Sequence, residues 1–138
     1  MNKTLKAFMI IFCCIIWSGC SNKQTNTDLW DSAVYKTDTE LGTGEKTVTV
    51  DVTVLENSVE FIINTDKNTL GEALTEHNLI SGENDIYGMY VKNVNGITAD
   101  YDTDKSYWAF YKDGEYLSGG VDTTEISDGE HFEIVYTK

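Results

Sequence analysis

The 138 residues carry 23 acidic side chains against ten lysines and no arginine, a formal net charge of −13. A surface this acidic cannot replace the counterions of a phosphate backbone, so nucleic acid is excluded as a partner. Without arginine, bidentate phosphate clamps are excluded too.

Lys3 and Lys6 precede an uncharged apolar run from Ala7 to Trp17, and Ser18-Gly19-Cys20 follows. Eleven positions are too few to span a bilayer core, which takes about 20 in a helix, so the run reads as the core of a signal peptide over residues 1–19. Small residues just ahead of a cysteine form a bacterial lipobox, in which Cys20 is lipidated on sulfur and becomes the mature N-terminus; Trp17 stands where leucine is usual. Cys13 and Cys14 leave with the signal, so disulfides, thiolate nucleophiles and cysteine metal sites are absent from the mature domain. Each buried acyl methylene contributes about 0.8 kcal/mol, and two acyl chains give stable anchoring. The expected location is the cell membrane, lipid-anchored and facing outside the cytoplasm. Processing leaves eight lysines against 23 acidic residues, a net −15.

Residues 20–45 hold the lipidated cysteine and a tether rich in Asn, Thr, Asp, Gly and Ser. As a flexible chain, the 25 residues from Ser21 to Glu45 have a root-mean-square reach of roughly 25–30 Å. Leu29, Trp30, Val34 and Tyr35 interrupt that composition, either as a short extra element packed on the domain or as scattered exposed residues.

The folded unit is expected over residues 46–138. Val48, Val50, Val52 and Val54 alternate with polar residues, and Val59, Phe61 and Ile63 continue the phase after Glu56-Asn57, which predicts a hairpin with one apolar face. The cover for that face is a short helix from Leu70 to Leu79. Thr69 and Glu72 form a capping box, Leu70, Ala73, Leu74 and His77 form one stripe, and Asn78 and Ser81-Gly82 supply the stop. Gly71 weakens this helix by up to about 1 kcal/mol relative to Ala.

Four strand-like runs follow: Tyr87–Val91, Val94–Ile97, Ser106–Leu117 and Ser127–Tyr136, each ending at or opening from a turn. In the third, Tyr107 and Tyr111 fall on one face and Trp108 and Phe110 on the other, so one face has a role besides exposure, under a loop or helix or against a ligand. Asp113-Gly114 predicts a tight type I′ hairpin turn. Hairpin, helix, then more strands is the β-grasp plan: an α+β fold with a mixed sheet and one covering helix.

Catalytic and metal readings are weak. Asp100, Asp102 and Asp104 alternate as in a calcium loop, but Lys105 and Tyr111 stand where glycine and a bidentate glutamate are required. His77 and His131 have no paired ligand spacing, and no serine sits in a nucleophile turn. No catalytic residue, metal or required cofactor is assigned, and an enzyme is not expected.

The order Tyr-Gly-Met-Tyr-Val (87–91), Val-Asn-Gly-Ile (94–97), Asp-Lys-Ser-Tyr-Trp-Ala-Phe-Tyr-Lys-Asp-Gly-Glu-Tyr-Leu-Ser-Gly-Gly (104–120) and Asp-Gly-Glu-His-Phe-Glu-Ile (128–134) resembles the C-terminal β-domain of transcobalamin and intrinsic factor, also carried by bacterial surface lipoproteins. The resemblance spans roughly Thr47 to Tyr136, and Lys-Ser-Tyr-Trp is its most specific part. It implies a non-enzymatic protein that captures cobalamin or another amphipathic soluble ligand and presents it to an uptake transporter. It implies ligand contacts at Ile86, Tyr87, Gly88, Met89, Tyr90 and Val91 on one side. The other side is Trp108, Ala109, Phe110, Tyr111, Lys112, Asp113, Gly114, Glu115, Tyr116 and Leu117. In that family the vitamin lies between this domain and a large helical one with no counterpart in these residues. The resemblance therefore implies weak binding, a different ligand, or a second ligand-binding partner. A surface module docking a protein or wall polymer through the aromatic ribbon or a strand edge is the alternative.

Overall fold

The computed structural model describes residues 26–138. The expected signal peptide and lipidation site at Cys20 lie outside the described residues, as does the start of the tether. Among the described residues no helix is long and apolar enough to cross a membrane.

The main sheet begins as the alternation predicts. Strand β2 (Lys46–Val54) pairs antiparallel with β3 (Asn57–Thr65), and Val48, Val50, Val52 and Val54 join Val59, Phe61 and Ile63 on one buried face. The turn falls at Leu55-Glu56, one residue earlier than expected, with Leu55 at φ 56°. Helix α2 (Leu70–Glu76) covers this face with Leu70, Ala73 and Leu74, all fully buried. The Thr69 hydroxyl accepts from the Glu72 N–H at 3.2 Å, while the Glu72 carboxylate reaches one residue beyond the cap to the Asn68 N–H. The helix stops three residues short of the expected Leu79 because Asn78 turns left-handed at φ 55°.

Strand β9 (His131–Thr137) returns parallel to β2, with Val50 beside Phe132 and Val52 beside Ile134. Strand β7 (Tyr107–Lys112) then pairs antiparallel with β9, and β8 (Glu115–Tyr116) pairs with β7. With β1 (Thr39–Leu41) parallel to β3, the order is β1-β3-β2-β9-β7-β8. The fold is thus the mixed α+β plan expected, two antiparallel hairpins joined through a central parallel pair under one helix.

The strand expected at Tyr87–Val91 does not join that sheet. Strands β4 (Ile80–Asp85), β5 (Gly88–Val94) and β6 (Ile97–Thr98) form a separate antiparallel sheet. The sequence explains this: Ser-Gly-Glu-Asn-Asp in β4 offers no apolar face, and every residue of β4 after Ile80 is exposed. Asn95 and Gly96, at φ 52° and 83°, then reverse the chain in the manner of a type I′ turn. The three acidic residues after β6 do not form a calcium loop. Asp100 caps the short helix α3 (Tyr101–Asp104) through the Asp102 N–H, and Asp104 accepts from the N–H and hydroxyl of Ser106.

Much of the expected tether is part of the fold. After helix α1 (Asn26–Asp31), Ala33 is buried and Leu29, Trp30 and Tyr35 pack against the core. The Tyr35 ring meets Phe61 edge-on at 5.5 Å. Asn95, itself buried, holds this strap as a strand would. Its Oδ1 accepts from the Tyr35 N–H at 2.9 Å, its Nδ2 donates to the Tyr35 carbonyl at 2.8 Å, and its carbonyl accepts from the Val34 N–H. The composition read as tether because its few apolar residues are anchored by backbone bonds rather than by periodic burial.

Removing this clamp leaves the Tyr35 backbone groups part-buried and unpaired. Asn95→Ala is therefore expected to cost about 3 kcal/mol in urea unfolding, with early loss of hydrogen-exchange protection at Val34 and Tyr35. Unchanged stability with intact protection would show that the strap is held by packing alone.

Candidate ligand-binding cleft

The two sheets meet at Trp108. Its indole Nε1–H donates to the Lys92 carbonyl of β5 at 3.1 Å, and its ring packs edge-on against Tyr136 at 5.5 Å. At 6% exposure, Trp108 is first a core residue. Beside this joint lies a cleft of about 220 Å³. Met89, Tyr90 and Val91 of β5 line it on one side, Trp108, Phe110, Tyr116 and Leu117 of the ribbon on another, and the loop Ser118–Val121 completes it.

Both expected segments therefore contribute to one cleft, each in part. Ile86 and Tyr87 instead occupy the β4–β5 turn, 90% and 83% exposed, and Gly88 at φ 109° completes that turn. Ala109 and Tyr111 do not line the cleft; Tyr111 packs edge-on against its cross-strand neighbour Tyr116. Lys112, Asp113 and Glu115 line a separate depression that shares Tyr116 and Leu117 with the cleft. Asp113 and Gly114, at φ 48° and 81°, form the expected type I′ turn. Period-two alternation caused the over-extension: a strand that presents every second side chain cannot bring a continuous run into one cleft.

Lys112 pairs with Glu130 and ties the ribbon to the loop before β9. The hydrogen bond to Glu130 holds Lys112 above the usual lysine range. Burial pushes the Glu130 carboxyl upward, but the Lys112 ammonium and the Ser127 N–H outweigh it and hold the carboxyl below the usual range.

Sequence reasoning missed Ser118, Gly119, Gly120 and Val121. The available signal was the glycine pair directly after the aromatic ribbon, a common mark of close backbone approach. The loop is well fixed, because the Gly120 carbonyl accepts from the Thr123 N–H and from the hydroxyls of Thr123 and Thr124. Gly120 itself has ordinary extended dihedrals, and a Cβ there would meet nothing within 4 Å.

Met89 also borders a second groove of about 420 Å³, lined by Lys67, Gly71, Glu72, Thr75, Glu76 and Asp122. Asp122 links the two depressions. Its Oδ2 accepts from the Met89 N–H at 2.7 Å, and a Cβ on Gly71 would stand 2.5 Å from its Oδ1. The glycine that weakens α2 thus makes room for the carboxylate that fixes β5.

Among the described residues no group of three His, Cys, Asp or Glu side chains could hold a metal ion. His131 Nε2 lies 2.6 Å from Asp51 Oδ2 across the β2–β9 pair, and His77 stands apart from it beside Glu76. The cleft itself has no charged lining residue, although the chain carries a formal net charge of −13.

A family model described as a domain of unknown function (DUF4430) matches residues 67–138, half the chain and every residue of the cleft. The chain belongs to the DUF4430 family. That family is grouped with the transcobalamin-like C-terminal domains. A solved structure of a protein from Ruminococcus gnavus ATCC 29149, provisionally described as metal binding, is 36% identical with a TM-score of 0.64. The match covers 68% of this chain and 98% of that one. Haptocorrin in complex with Cbi is 19% identical with a TM-score of 0.57 over 71% of this chain. At that identity the likeness concerns the fold alone, and the match covers 26% of the haptocorrin chain. No curated protein matches the sequence.

The role of Gly71 in this DUF4430 domain can be tested through Asp122. Alanine normally stabilises a helix relative to glycine by about 1 kcal/mol. Here Gly71→Ala is expected to destabilise by about 1 kcal/mol, because the displaced carboxylate loses a charge-assisted hydrogen bond. In an Asp122→Ala background the same substitution should be neutral or stabilising in urea unfolding. An equal cost in both backgrounds would assign the penalty to backbone contacts instead.

Proposed function

We propose that this protein is a lipid-anchored, non-enzymatic binding protein that captures cobalamin or a related amphipathic ligand outside the cytoplasm and passes it to an uptake system. The observation that carries this reading is the cleft's lining: aromatic, aliphatic and glycine residues with Met89 and Ser118 and no charge, in a chain otherwise crowded with carboxylates. A flat ligand with an apolar body and an amide fringe matches such a lining, with aromatic and Met side chains for area and loop backbone for polar contacts. The haptocorrin-like fold and the family's grouping with transcobalamin-like domains support the same class.

A cleft of about 220 Å³ is smaller than the roughly 300–1,000 Å³ of pockets that enclose a drug-sized ligand. It therefore holds one face or edge of its ligand, and a partner covers the rest. A second reading, a protein- or polymer-docking module, draws on the exposed Ile86, Tyr87, Tyr90 and Tyr116, which lie in or beside the cleft segments.

Titration of the soluble domain, residues 21–138, with cyanocobalamin distinguishes these readings, with haem as a flat-macrocycle control. Calorimetry and thermal shift should show saturable, weak binding of cyanocobalamin. Gly120→Phe adds a side chain where the structure is open, so it should abolish binding with the melting temperature unchanged. Equal binding by Gly120→Phe would move the ligand elsewhere, and no binding at about millimolar cyanocobalamin, a free energy near −4 kcal/mol, would favour the docking module.

A further inference from the structure

We infer that the end of the domain carrying α1 and the β5–β6 turn rests against the phospholipid surface, with the cleft side turned outward; this rests on the lipidation of Cys20 proposed above. The deciding feature is the length of chain left over for a tether. Asn26 begins α1, and from Ala33 onward the strap is fixed to the body by the Asn95 clamp, the Tyr35–Phe61 contact and the β1–β3 pairing. No slack is available downstream of α1. Six residue steps separate Cys20 from Asn26, and fully extended they span at most about 20 Å.

A domain of about 110 residues has a radius of gyration near 13 Å, hence a diameter of roughly 35 Å. A leash shorter than that diameter keeps the attachment end nearest the bilayer. Strand β5 runs from the Asn95 turn to the β4–β5 tip, and its seven residues at about 3.4 Å each place Ile86 and Tyr87 more than about 20 Å from the clamp. The capture side thus faces away from the bilayer, toward the medium from which the ligand arrives.

The surface near the leash suits headgroup contact rather than insertion. Val34 is 68% exposed, while Asp31, Lys36 and Asp38 beside it are exposed and charged. Anchoring comes from the acyl chains, and the protein surface contributes only orientation.

The mature chain has no thiol besides the acylated Cys20, so nitroxide labels can be placed singly at Val34→Cys and Ile86→Cys, both at exposed positions. The full-length protein, produced in a host that acylates lipoproteins, would be reconstituted into phosphatidylcholine vesicles containing nickel-chelating lipid. Relaxation of the label by the surface nickel should be several-fold greater for Val34→Cys than for Ile86→Cys. A flexible insertion of roughly 20 residues between positions 25 and 26 should erase the difference. Equal relaxation in the acylated, vesicle-bound protein without the insertion, or greater relaxation for Ile86→Cys, would overturn the inference alone. Protein that carries no acyl mass on Cys20 and stays off the vesicles would overturn the lipidation reading and this inference with it.

Discussion

The hydrogen bond from the Trp108 indole to the Lys92 carbonyl is the joint on which the cleft depends. Neither sheet contains the cleft by itself. The larger sheet supplies the ribbon because β9 lies parallel to β2 and carries β7 beside it, while the smaller sheet supplies β5. A buried indole N–H requires an acceptor, and a carbonyl of β5 supplies it, so satisfying one donor ties the two sheets together. Trp108 is thereby both core and cleft lining, and the two roles are not alternatives.

The second constraint is electrostatic. Carboxylates cover the surface, yet none lines the cleft, and several on the elements around it are committed to backbone and lysine partners. Asp122 holds the Met89 N–H, Glu130 holds Lys112, and Asp100 and Asp104 cap the turns on either side of α3. The hydroxyl of Thr103 holds the Asp100 carboxyl below its ordinary range, and the hydroxyl and N–H of Ser106 do the same for Asp104. These groups are locally satisfied, and the aromatic seam is an uncharged opening in an acidic shell.

The main sheet was legible in the sequence because its signals are local and redundant. Alternating valines, a capping box and Asp113-Gly114 each specify one conformation, and together they specify a β-grasp plan. The cleft was legible in its two segments but not in its limits. Alternation hides which face of Trp108–Leu117 turns inward, and the Ser118–Val121 loop has no periodicity. The strap was least legible: Tyr35 is held by Asn95, 60 positions away, and no local pattern reports a side-chain amide acting as a strand partner. Gly71, a defect when α2 is read alone, acquires its reason only once Asp122 is seen against it.

Amide chemical-shift mapping of the isotopically labelled domain with cyanocobalamin tests most directly whether the uncharged seam between the sheets receives the ligand. Shifts concentrated at Met89–Val91, Trp108, Phe110 and Ser118–Val121 are the result expected. Shifts confined to the α2 groove at Glu72 and Glu76, or to the Asp113-Gly114 turn, would contradict it.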